Sequence, residues 1–278
     1  NSVMSMALAD GDRVASFGIV AHAHAVVPIT GRPLLLVTSG QDGTVRLFDT
    51  RTHKQLTSIS VGEDPDAAIY DASIGKAAVM NAKSGTVSII DVATRKIART
   101  ITLKPGLEFA QFGYGGKLFV NNEDENVIET ADPASGKAGP AIALPGCTGP
   151  SGLGYDEKTA QLISACDNGK AAVVDARTMK LSHLIDIDAG PDAVIMDAPH
   201  RRAYIPCGRS GTLIEVALDG PQGAHGVATI ATASGARTGA IDPNTATIYL
   251  PTATSTTPPP GQHHAYQPGT FRVLVVRD

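Results

Sequence analysis

Along most of this chain, apolar and polar residues alternate in short runs rather than recurring every three or four positions. Val45 and Leu47 share one face of such a run, and Val87 and Ile89 share the next. Each run is bounded by an Asp-Gly, Ser-Gly or Asn-Gly pair, which is the turn chemistry of a hairpin. After Asp49, Asp91 or Asp175 comes a short turn and then another strand, such as Lys96 to Leu103. Asp66 to Tyr70 and Lys76 to Asn81 read as two more strands of the same unit. The pattern therefore predicts four short strands per unit and no long helix.

The unit repeats. SGQDGTVRLFDTRTHKQLTSISVGEDPD from Ser39 aligns with NAKSGTVSIIDVATRKIARTITLKPGLE from Asn81 and with ACDNGKAAVVDARTMKLSHLIDIDAGPD from Ala165. Gly43, Gly85, Gly169 and Gly211 mark a period of about 42 residues, and NNEDENVIETADPASGKAGPAIAL from Asn121 fills the double step. Four strands in such a period match the blade of a β-propeller, whose circular closure protects strand edges. The fold class expected is all-β: a propeller of four-stranded antiparallel blades forming one domain over residues 1–278. Third strands outnumber the others by one, because the chain opens at Val3 and ends near Val276 on that strand type. Seven blades are expected on this count if the first blade's inner strands precede Asn1, with six as the alternative. The stretch from Pro251 to Gly269 is longer than its counterparts, which predicts an inserted arm, stiffened by Pro258 to Pro260.

At the level of these repeats the sequence resembles the YVTN-repeat, YncE-like β-propeller family. The segments GTVRLFDTRTHK and GTVSIIDVATRK carry the resemblance, with the PD dipeptides and the closing pair ARTGAIDPNTATIYLPTA and PGTFRVLVV. The family favours asparagine at the end of the second strand. Asn81 and Asn121 keep it, while Ser39, Ala165 and Cys207 depart from it. The resemblance implies an exported bacterial propeller, periplasmic or secreted, and no agreed chemistry.

Composition narrows the function classes. A formal charge of −4 with scattered Lys and Arg gives no footprint for nucleic acid. No apolar run approaches the roughly 18 to 20 residues of a membrane span, and a monomer is expected. Trp is absent, which argues against a stacking platform for sugars or single strands. There is no Walker loop and no G-x-S-x-G; GPSGLG at Gly149 to Gly154 falls where a blade begins. The recurring Asp49, Asp91 and Asp175 read as turn caps, since the common fold explains a residue that repeats. Cys147, Cys166 and Cys207 lack metal spacing. Cys147 and Cys166 either form a disulfide or are buried thiols with Cys207.

One position stands apart. In a propeller the first strand of each blade lines the channel, and the residue aligned with Asp66 falls at its rim. The other copies carry His24, Glu108, Ser151, Asp192 and Arg237 there, so this position varies where the fold would keep it constant. His24, Asp66, Glu108 and Asp192 offer the oxygen and nitrogen ligands of a divalent ion such as calcium, magnesium, manganese or zinc. Ser151 and Arg237, with His263, His264 and Tyr266 of the arm, are the expected ligand-binding residues. A binding propeller that takes a small molecule or protein at one channel mouth is the first expectation. A metal-dependent hydrolase of the lactonase type, using carboxylates in the central funnel, is the alternative.

Overall fold

The computed structural model describes residues 2–8, 14–256 and 265–277. The chain is an all-β propeller of antiparallel blades, and six blades are found among the described residues, the alternative to the seven expected from strand counting. Blade 1 runs through Ala23–Ile29, Leu34–Ser39, Thr44–Asp49 and Gln55–Ser60, paired in that order. Blade 2 uses Pro65–Asp71, Lys76–Asn81, Thr86–Asp91 and Lys96–Thr102. Blade 3 uses Leu107–Phe112, Leu118–Asn122 and Val127–Asp132, with a fourth strand split into Lys137–Ala138 and Ile142–Ala143.

Blade 4 follows with Pro150–Asp156, Gln161–Cys166, Lys170–Asp175 and Lys180–Asp186. Ile195–Asp197, Arg202–Cys207, Thr212–Ala217 and His225–Ala231 make blade 5. Blade 6 has three strands, Ala240–Ile241, Ile248–Thr252 and Arg272–Val276. Ser2–Met6 and Val14–Ile19 pair alone as a two-stranded sheet, and Ser2–Met6 supplies the extra third strand.

Contacts divide the chain into two compact units, one holding residues 1–112, 116–125 and 129–141, the other 113–115, 126–128 and 142–278. Inside each unit the core lies between successive blades. In the first unit Leu34, Leu36, Val45 and Leu47 of blade 1 meet Ala77, Val79 and Ile90 of blade 2. The opposite face of blade 2, through Ala78, Met80, Val87 and Ile89, meets Leu107, Leu118 and Val120 of blade 3. The two-stranded sheet packs Val3 and Phe17 on Leu35, Val37 and Phe48. In the second unit Ile163, Ala171 and Val173 of blade 4 face Ala203, Ile205 and Val216 of blade 5. Successive residues of one strand thus face different neighbours, which is why second strands such as Leu34–Ser39 are buried throughout.

Turn chemistry follows the repeat. Asp49 accepts the backbone N–H groups of Arg51 and Thr52 at 2.8 and 3.0 Å, and Asp175 those of Arg177 and Thr178 at 2.7 and 3.0 Å. Asp91 accepts from Thr94 N at 2.8 Å. The repeating aspartates are caps. Two register assignments need correction. Pairing sets Asn122, not Asn121, opposite Leu107, as Asn81 stands opposite Pro65. It likewise sets Cys166, not Ala165, opposite Pro150. In blade 3 Asn126, at φ 56°, takes the turn position that Gly43 and Gly85 fill elsewhere, and the blade 4 turn is one residue shorter, so glycine alignment slips by one. The arm between the second and third strands of blade 6 contains a short antiparallel pair, Ser255–Thr256 with Ala265–Tyr266; Pro258 to Pro260 lie outside the described residues.

Candidate functional site

The first strand of a blade does not start cleanly. In blades 1 to 4 its ladder skips between Ala23 and Val26, Pro65 and Ala67, Leu107 and Ala110, and Pro150 and Leu153. His24, Asp66, Glu108 and Ser151 fall inside those four irregularities. A bulge frees the extra residue from pairing and re-aims its side chain, which is why bulges gather beside functional sites. Two residues before each rim position the backbone turns left-handed: His22, Asp64, Gly106, Gly149, Gly190 and Gly235 all have positive φ. The six rim positions read from the sequence are therefore equivalent in backbone geometry, including Asp192 and Arg237.

Several of these side chains are joined from blade to blade within each unit. In the first, His24 Nδ1 lies 2.7 Å from Asp66 Oδ1, both side chains partly exposed. The His22 ring stands edge-on to His24 with centroids 5.2 Å apart. In the second, Ser151 Oγ donates to Asp192 Oδ1 at 3.3 Å, and Arg237 Nε pairs with Asp192 Oδ2 at 3.2 Å. Arg237 is thus the counter-ion of Asp192. Among the described residues no group of three or more His, Cys, Asp or Glu is placed to hold a metal ion. Of the four residues expected to ligate an ion, His24 and Asp66 are engaged with each other in the first unit, and Asp192 with Ser151 and Arg237 in the second. Tyr266 is exposed on the arm, and His263 and His264 lie outside the described residues.

Beside His24 the first unit carries a cleft of about 590 Å³ that the sequence did not reveal. Three loops line it, Gly40 to Gly43, Ser60 to Asp64, and Lys83 with Ser84. Gly40 makes the approach possible: a Cβ there would stand 2.8 Å from Asp64 Oδ1 and 3.0 Å from His24 Nε2. Asp42 of the same loop accepts Thr44 Oγ1 and Arg46 at 2.6 Å each. Burial pushes its carboxyl up, while the Thr44, Ser39 and Arg46 contacts outweigh that and hold it below the usual range. Glu63 and Asp64 against Lys83 leave the lining acidic. One signal for this cleft was present in the repeat. At the left-handed position four blades have glycine, but His22 and Asp64 keep side chains there at a backbone cost of about 1 kcal/mol.

In blades 1, 3 and 6 the approach loop is tied down by a latch, while in blade 2 Asn81 Nδ2 donates instead to Thr86 and Ser88 of the third strand. In the latched blades the last residue of the second strand reaches the carbonyl three positions before the rim residue. Ser39 Oγ donates to Ala21 O at 2.8 Å, Asn122 Nδ2 to Pro105 O at 2.8 Å, and Thr252 Oγ1 to Ser234 O at 2.9 Å. In blade 4 the last residue of the second strand is tied covalently instead, one position earlier, by the Cys147–Cys166 disulfide. Blade 5 has buried Cys207 in the same place, opposite Asp188, and burial pushes its thiol up to about 12.

No protein family profile matches this chain, and no curated protein matches it. Solved structures do. Kuenenia stuttgartiensis hydrazine synthase is similar over 100% of this chain and 89% of that chain, with a TM-score of 0.81 and 14% identity. A chain of the mitotic checkpoint complex is similar over 90% of this chain and 78% of its own length, with a TM-score of 0.77 and 14% identity. At such identity the likeness defines a fold, and the class it defines is the β-propeller.

Proposed function

We propose that this chain is an exported binding propeller, of the kind the YVTN-repeat resemblance implies, that takes a small polar ligand or a protein partner on its approach-loop face. One observation carries the reading: the rim positions share one backbone geometry and differ in chemistry, so their identities are free of the fold and available to recognition. Their pairing across blades holds the side chains ready, which lowers the ordering cost of binding. The cleft beside His24 and Asp64 has the size of a small-molecule site, and its acidic lining favours a ligand that carries an amine or another positive group. The disulfide supports an oxidising compartment. Among the described residues no helix is long and apolar enough to cross a membrane.

The lactonase-type alternative rested on carboxylates gathered around one ion, and no observation favours it. Thermal denaturation of the purified protein against small amines, organic acids, short peptides and calcium, manganese or zinc salts tests the proposal. A stabilising shift with one of these classes, lost in Asp66→Ala or Asp192→Ala variants that fold normally, is the expected result. No shift with any of them, or a shift that both variants keep, would overturn it. Hydrolysis of a lactone panel that a chelator abolishes would restore the alternative.

A further inference from the structure

The latch position is the strongest unassigned feature, because one side-chain site does the same job in several blades by different chemistry. Ser39, Asn122 and Thr252 each hold the approach loop of their own blade through a backbone carbonyl. In blade 4 the last residue of the second strand makes no such bond; Asn168, from the following turn, donates to Gly146 O at 3.0 Å and accepts from Thr148 N at 3.1 Å. Cys166 Sγ is committed to Cys147, four residues ahead of Ser151, and both residues are buried, Cys166 at 0% and Cys147 at 3% exposure. Ser151 follows directly from this loop and donates to Asp192, which holds Arg237. Its strand also runs against the next blade without slack: a Cβ on Gly152 would stand 2.6 Å from the Ala193 carbonyl carbon. Small movements of the loop are therefore passed to the Ser151–Asp192 contact.

We infer that the Cys147–Cys166 disulfide is a covalent latch that positions Ser151 against Asp192 and makes this part of the approach-loop face responsive to redox state. When a dithiol reductant donates two electrons, the S–S bond breaks. Cys147 and Cys166 become thiols and the reductant closes to its own disulfide. The loop then keeps its bonds to Asn168 and Asn126 but lacks any tie to the end of the second strand of the kind that Ser39 provides in blade 1. Because both cysteines are buried, reduction waits on local opening of the loop rather than on direct attack.

The inference rests on the proposed binding face only for its consequence, and its test needs no ligand. Hydrogen exchange is followed in three proteins: the oxidised wild type, the Cys147→Ala/Cys166→Ala double variant without a latch, and a Cys147→Ala/Cys166→Ser variant that restores the serine latch of blade 1. Amides of Gly146 to Gly152 should exchange at least about tenfold faster in the unlatched protein and return close to wild type in the serine variant. Those of the second and third strands, Gln161–Cys166 and Lys170–Asp175, should keep their protection in all three. Uniform acceleration through the blade would make the disulfide a general staple, and no acceleration in the loop would show that it positions nothing. Either result overturns the inference while leaving ligand binding at the face as a separate question.

Discussion

At the scale of single residues, the turns between third and fourth strands show what the repeat demands and what it tolerates. His53, Arg95 and Met179 sit at φ 57°, 56° and 57°, where Gly136 takes the same step in blade 3. A side chain there is strained against its own carbonyl, and glycine relieves this at some cost in unfolded-chain entropy. Arg95→Gly should therefore stabilise the protein, by up to about 1 kcal/mol, read as a higher urea midpoint with an unchanged slope. Asp156 is the reverse case, a buried carboxylate at 1% exposure that Arg201 grips with both nitrogens at 2.6 and 2.7 Å while also binding Asp219. Burial raises its carboxyl, but the hydrogen bonds from Arg201 and Thr159 outweigh burial and hold it down at about 2.

A depressed folded-state value means that the stabilisation is complete above the unfolded value near 3.8 and is lost as pH falls through 2. Its size is roughly 2 kcal/mol. Asp156→Asn should lose about 2 to 3 kcal/mol at neutral pH and flatten the acid limb of the stability curve between pH 4 and pH 2. An unchanged acid limb would show that the Arg201 pair is not what protects the fold there.

At the scale of elements, the strands were legible because alternation and turn residues are local, and the disposition of Asp49, Asp91 and Asp175 followed from repetition alone. Register was legible only where turns kept their length. The slip from Asn122 to Asn121 arose because Asn126 does a glycine's work, which glycine spacing cannot reveal. Once corrected, the register places Cys207 and Asp188 where Cys166 and Cys147 stand in blade 4. Asp188→Cys should consequently close a second disulfide with Cys207 under mild oxidation, detected as loss of two free thiols by mass spectrometry and stabilising by roughly 3 kcal/mol. Persistent free thiols would break the equivalence of the latch positions. Close approach of blades is a second property of elements. Because a Cβ on Gly152 meets backbone of Ala193 rather than a movable side chain, Gly152→Ala should cost about 1 to 3 kcal/mol in chemical denaturation.

At the scale of the molecule, the sequence displayed its rim positions but not their partners. Spacing showed that His24, Asp66, Glu108, Ser151, Asp192 and Arg237 are equivalent, since equivalence is a property of the repeat. Which of them touch depends on packing between blades, and the structure answers with His24 to Asp66 and with Ser151 to Asp192 to Arg237. The cleft stayed hidden because its walls come from three separate turns, none unusual alone. What each unit has is a set of approach loops and second-to-third turns, which carry the rim side chains that the repeat does not dictate.

Hydrogen exchange of the wild type with and without whichever amine, acid, peptide or divalent salt raises its melting temperature tests that claim most directly. The account predicts added protection in the approach-loop face, at residues 20–24, 40–43, 60–66 and 82–84 of the first unit or 146–152, 188–192 and 208–210 of the second. Protection confined to the capped turns at the other strand ends, at 50–54, 92–95 and 176–179, would contradict it.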